Sequence, residues 1–205
     1  MNKQKYLDDI KDIKNIMDRS TKFISLSGLS GISAGILALI ASYIAYRLVY
    51  FDQNYLVDRI AVINYKTLIQ LLLVAIATKF LAILLGIFFT SKKAKKSGQK
   101  MWDPQARRFY INLLIPLITG GLLCLALLLR GYVSLVAPLT LIFYGLGLVN
   151  ASNHSISDIR SLGIIEIILG LIAVCFVGYG LIFWAIGFGV MHIIYGIVMH
   201  YKYGS

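Results

Sequence analysis

Apolar residues run along this chain in six long, continuous stretches, at about 23–50, 65–90, 109–130, 132–150, 162–177 and 181–201. A helix needs roughly 20 mostly apolar residues to cross a bilayer core. None of the stretches alternates apolar with polar positions, so the strand pattern of an outer-membrane barrel is excluded. Backbone groups in lipid must be satisfied internally, which leaves helices. The links after the third and fifth stretches are very short, around Gly131 and Gly178-Tyr179-Gly180. Links that short force neighbouring helices to be antiparallel. The pattern predicts an all-α, polytopic membrane protein: a six-transmembrane-helix bundle of three helical hairpins.

Composition agrees. Of 205 residues, 59% are hydrophobic and 14% charged, against about 45–50% and 25% in soluble domains. An ordinary soluble domain, a disordered chain and a disulfide scaffold are therefore excluded. Cys124 and Cys175 both lie in apolar runs without CxxC spacing and read as small buried hydrophobes.

The net charge of +11 changes the picture through its placement. Lys3, Lys5, Lys11, Lys14, Arg19 and Lys22 precede the first stretch. Lys92, Lys93, Lys95, Lys96, Lys100, Arg107 and Arg108 lie between the second and third. Arg160 and Lys202 fall on the same side, and only Arg47, Arg59, Lys66 and Arg130 on the other. The positive-inside rule then places the N-terminus and the C-terminus in the cytoplasm, here of a bacterial inner membrane. The polar start fits no secretory leader, and the first apolar run is too long for one. The excess charge is thus no argument for nucleic acid.

Residues 1–22 are read as an amphipathic cytoplasmic or interfacial helix, with Tyr6, Ile10, Ile13 and Met17 on one face. Residues 23–205 form the six-helix domain, with a basic cytoplasmic loop at 91–108. In that loop Lys92, Lys93, Lys95, Lys96, Arg107 and Arg108 are expected to anchor the chain on a lipid bilayer with an anionic inner leaflet, each basic residue contributing about 1 kcal/mol. A cytoplasmic protein partner is the lesser expectation for both segments.

The first stretch carries small residues four apart, Ser27, Gly31 and Gly35, which share a helix face and permit close backbone approach. The expected use is packing inside the monomer, with a homo-oligomer through this span as the alternative. Pro116 and Pro138 are expected to kink or loosen their helices. A weak repeat aligns Gly35, Gly121 and Gly170 in the odd stretches and Gly86, Gly145 and Gly196 in the even ones. On this glycine spacing the chain resembles the HdeD-like acid-resistance membrane proteins, mostly over 110–200, and departs from them in its basic start and longer first hairpin. The resemblance implies a six-helix bacterial protein of repeated hairpins and little about chemistry.

Ionisable residues inside spans are costly and are functional candidates by default. Three occur: Lys79, Glu166 and His192. Glu166 and His192 fall on one hairpin at similar depth, and Lys79 is expected to reach toward them. Such a cluster is either proton-linked or a satisfied pair that fixes helix register. Gly28-Leu29-Ser30-Gly31 and His192 resemble the nucleophile and base motifs of rhomboid proteases, but the serine is on the wrong helix and the family's second-helix His-Asn pair is missing. No HExxH, Walker A or dinucleotide glycine motif occurs, so no cofactor, metal or catalytic residue is expected. The chain reads as non-enzymatic, of stress-related, regulatory or scaffolding type. The alternative is a small channel or proton-coupled transporter using the Glu/His/Lys cluster.

Overall fold

A computed structural model describes Ile10 and residues 27–50, 65–96, 104–154 and 157–203, and all the regular structure among them is helical. Helix α1 is Gly28–Tyr50, α2 Tyr65–Lys96 and α3 Pro104–Leu129. A 3-10 turn at Val133–Leu135 leads into α4, Val136–Ala151. A second at Ser152–His154 precedes α5, Ser157–Cys175. Helix α6 runs as α-helix over Gly180–Trp184, π-helix over Ala185–Met191 and α-helix over His192–Tyr203.

Five of these segments are long and apolar enough to cross a membrane, so the protein is a helical, multi-pass membrane bundle. The remaining helix, α5, is equally apolar over its second half but carries Asp158, Arg160 and Glu166 within 19 residues. The amphipathic helix read into 1–22 lies outside the described residues, Ile10 apart.

Within the segment read as a basic loop at 91–108, the described residues, 91–96 and 104–108, are helical. Helix α2 continues to Lys96 and α3 begins at Pro104. Lysine and alanine are good helix formers, and charge does not end a helix. Proline suits a first helical position, where no donor is needed. Lys92, Lys93, Lys95 and Lys96 therefore lie on the last turns of α2, and Arg107 and Arg108 on the first two turns of α3.

The short outer links turn on Gly131 (φ +84°) and Gly178 (φ +91°), where side-chain-bearing residues are strained. At the other end Asn150 donates to the Asn112 carbonyl oxygen at 2.9 Å, and Lys202 pairs with Asp158 at 2.9 Å. Helices α3 and α4, and α5 and α6, are thereby antiparallel.

The hairpins do not supply the closest packing. The most extensive pairings are α1 with α6 and α4 with α5. Helix α5 packs on α6 less extensively, through the latter's first stretch and π segment, with Glu166 beside His192 and Asp158 paired with Lys202 further along. Glycines explain this. A methyl group on Gly145 would collide with the Gly163 carbonyl, and one on Gly170 with the Pro138 carbonyl. In the second seam Gly28 meets Gly196 and Gly35 meets Gly189 in the same way, backbone to backbone. Both seams use contacts seven residues apart on each helix, two turns along one face. The ridge of Ser27, Gly31 and Gly35 is thus filled by α6 within the monomer. The repeat's glycines have equivalent roles in these two seams. Its third pair, Gly86 and Gly121, meets nothing within 4 Å.

Pro138 does not interrupt α4. It is the third residue of the helix, in the first turn, where a missing donor costs little. Pro116 does lie inside α3. Cys124 is buried as expected, whereas Cys175, on the last turn of α5, is exposed.

The seams predict unequal tolerance of one methylated position against another. Gly145→Val forces α4 off α5 and is expected to lower stability by about 1–3 kcal/mol. Gly86→Val, with open space around it, is expected to change it by less than about 0.5 kcal/mol. Thermal unfolding in one detergent compares the two directly.

Candidate functional site

Three helices meet between the two contacts of the α4–α5 seam. Glu166 is the fourth residue from Gly170 on α5, so it shares the face that α5 turns to α4 and α6. It is fully buried, at 0% exposure. His192, also buried, is the first residue after the π segment of α6. Tyr144 precedes the seam glycine Gly145 on α4.

The histidine ring is held from both sides. Nδ1 lies 3.0 Å from the Gly187 carbonyl oxygen and donates to it. Nε2 lies 2.8 Å from the Tyr144 hydroxyl, which donates to it when the ring is neutral. The π segment makes the first bond available. Its wider turn leaves the Gly187 carbonyl to the side chain five residues on, while the His192 backbone N–H bonds to Gly189. Single π turns are found at functional sites in this role.

Glu166 Oε1 is 3.4 Å from His192 Nδ1, beyond good hydrogen-bond range. Neither carboxyl oxygen has a hydrogen-bond partner. The carboxyl fits only because residue 187 is glycine: any side chain there would strike Glu166 Oε2 and Leu141. Phe188 closes one side, stacked on His192 with centroids 5.8 Å apart. Tyr144 and Trp184 lie against Phe188 at 4.9 and 5.0 Å.

The structure thus brings together Glu166 and His192 and adds Tyr144, Gly187 and the π segment. It does not bring in Lys79, which is exposed on α2, a helix that packs along α1. The long lysine stem has no path to α5 through α1 and α6. Tyr144 carried a sequence signal, the repeated Tyr-Gly pair at 144–145 and 195–196, but nothing in it spoke of a bond to His192. The rhomboid-like serine is engaged elsewhere, since Ser30 Oγ donates to the Ser27 carbonyl. Among the described residues no group of three or more His, Cys, Asp or Glu is placed to hold a metal.

Chemically, the arrangement gathers a hydroxyl, an imidazole and a carboxyl from three different helices: an imidazole protonated on both nitrogens can hand its Nδ1 proton to Oε1 and be left neutral, its remaining proton on Nε2 toward the Tyr144 hydroxyl. No protein-family model, curated protein or solved structure matches the chain.

Tyr144→Phe is expected to leave Nε2 without a partner and to cost about 0.5–1.5 kcal/mol. His192→Phe in the same background should then add less than it does alone, because the pair is coupled. Additive effects in thermal unfolding would show that the hydroxyl and ring do not interact.

Proposed function

We propose that the protein is a proton-linked carrier or channel, non-enzymatic, in which Glu166 and His192 take up and release the proton and Tyr144 orients the imidazole. Of the roles open to the sequence, this one is favoured over a purely scaffolding one by a single observation. The Glu166 carboxyl is completely buried and neither of its oxygens is hydrogen-bonded. A carboxyl kept to fix helix register would be satisfied, because a buried unsatisfied polar group is costly and rare. One kept to exchange a proton needs a proton donor or acceptor close by, and His192 Nδ1 lies 3.4 Å from Oε1. Full burial fits an occluded state, from which the site opens to one side at a time.

The same reading places six spans in a bacterial inner membrane, with both termini cytoplasmic. The side-to-side bias of lysine and arginine supports it, as does the antiparallel ordering of α3 to α6. The two basic helix ends then lie on the anionic inner leaflet. The glycine spacing that resembles HdeD-like proteins accords with a role under acid stress.

Trp184 offers a direct readout. With Trp102→Phe it is the sole tryptophan, and Phe188 couples it to His192. Its emission in liposomes is expected to follow one titration with pH, and Glu166→Gln to abolish it while yield and helicity persist. In dye-loaded liposomes the wild type should collapse an imposed pH gradient and Glu166→Gln should not. A titration and a flux both untouched by Glu166→Gln would contradict the proposal. So would loss of the folded protein itself in Glu166→Gln, which marks a structural pair.

A further inference from the structure

Of the three ionisable residues deep in the apolar stretches, the site at Glu166 and His192 leaves out Lys79. On α2 it is 14 residues from Tyr65 and 12 from Ser91, or roughly 21 and 18 Å along the helix. A four-carbon stem cannot snorkel that far. Helix α2 packs extensively only along α1, and none of its apolar span is buried. Lys79 is exposed, and neither of the ion pairs found among the described residues involves it. A charge exposed to hydrocarbon at this depth is costly, and charges inside membranes pair with opposite ones.

The chain has no carboxylate to offer it. Of nine acidic residues, eight lie outside the apolar stretches, and the ninth, Glu166, is fully buried beside His192. A second copy offers none either: a two-fold contact through this face sets Lys79 against Lys79. A phospholipid phosphate stays at the headgroup level, roughly 15 Å from the middle of the hydrocarbon core. The counter-charge has to arrive on another membrane-spanning chain.

The surface around Lys79 fits a helix. Leu72, Ile76 and Ile83 share its face and are exposed. Gly86 lies on that face two turns along, with nothing within 4 Å of an added methyl group. In the closed seams the contact positions on one helix have the same seven-residue spacing, Gly28 and Gly35 on α1, and Gly163 and Gly170 on α5. Lys79 and Gly86 therefore offer one charge and one point of close backbone approach, at the spacing by which this fold already joins its helices.

We propose that the Lys79 face of α2 docks a transmembrane helix of a different membrane protein, one that carries an aspartate or glutamate near the middle of its span to pair with Lys79. The surface is separate from Glu166 and His192 and does not depend on their role.

The full chain and a leucine-rich transmembrane peptide with a single central aspartate, dye-labelled and reconstituted together in liposomes, provide the test. Energy transfer is expected to report association about tenfold or more stronger than with the all-leucine peptide. Lys79→Leu should abolish that preference without lowering the melting temperature, since no partner within the chain is lost. Lys79→Asp should reverse it, selecting a central-lysine peptide over the aspartate one. Gly86→Leu, which strikes no neighbour in the chain, should weaken association by blocking the close approach. Equal association of the aspartate and leucine peptides overturns the proposal, as does a preference that survives Lys79→Leu. So does a fall in the melting temperature of Lys79→Leu by itself, which assigns the lysine a partner inside the chain. Energy transfer between two labelled copies that Gly86→Leu abolishes would give the face to a second copy instead.

Discussion

Helices in a bilayer gain little by hiding apolar side chains from one another, since the surrounding lipid is just as apolar. What holds them together is close backbone approach. In this protein that approach is made at two glycine seams, α4 on α5 and α6 on α1. Each has two contact points two turns apart, so each fixes both register and spacing. The short links at Gly131 and Gly178 set direction; α3 and α4, joined by the first, pack along each other, whereas α5 and α6, joined by the second, pack only in part.

The polar site follows from this constraint. Gly145 and Gly163 bring α4 and α5 together, and Tyr144 and Glu166 flank those contacts. The second seam holds α6 by Gly189 and Gly196, on either side of His192. Between the seams the π segment of α6 makes the adjustment, turning the Gly187 carbonyl toward the ring and, having no side chain at 187, admitting the carboxyl. Rigid contacts above and below thus hold the carboxyl beside the imidazole, without a hydrogen bond to either oxygen.

The helices were legible in the sequence because continuous apolar runs of that length have few other solutions. So was the meeting of Glu166 and His192, from their shared hairpin and depth. The ends of α2 and α3 were not, because lysine-rich sequence is as compatible with helix as with loop. Lys79 was misplaced because depth says nothing about azimuth: it lies at the right height on a helix shielded from α5 by α1 and α6. The π segment left no trace in composition, since one extra residue per turn is a matter of packing rather than propensity. The glycine repeat was visible as spacing, but only the contacts show that it marks seams, and that one of three stands open.

The central claim is that Glu166 exchanges a proton inside the bundle, with His192 beside it. Infrared difference spectroscopy of the protein in lipid, stepped in pH, reads this on the carboxyl itself. The account predicts a protonated-carboxyl band that appears and disappears reversibly in the wild type, is absent in Glu166→Gln, and shifts in Tyr144→Phe through the imidazole between them. A spectrum without that band at any pH at which the protein stays folded, or one identical in Glu166→Gln, would contradict it.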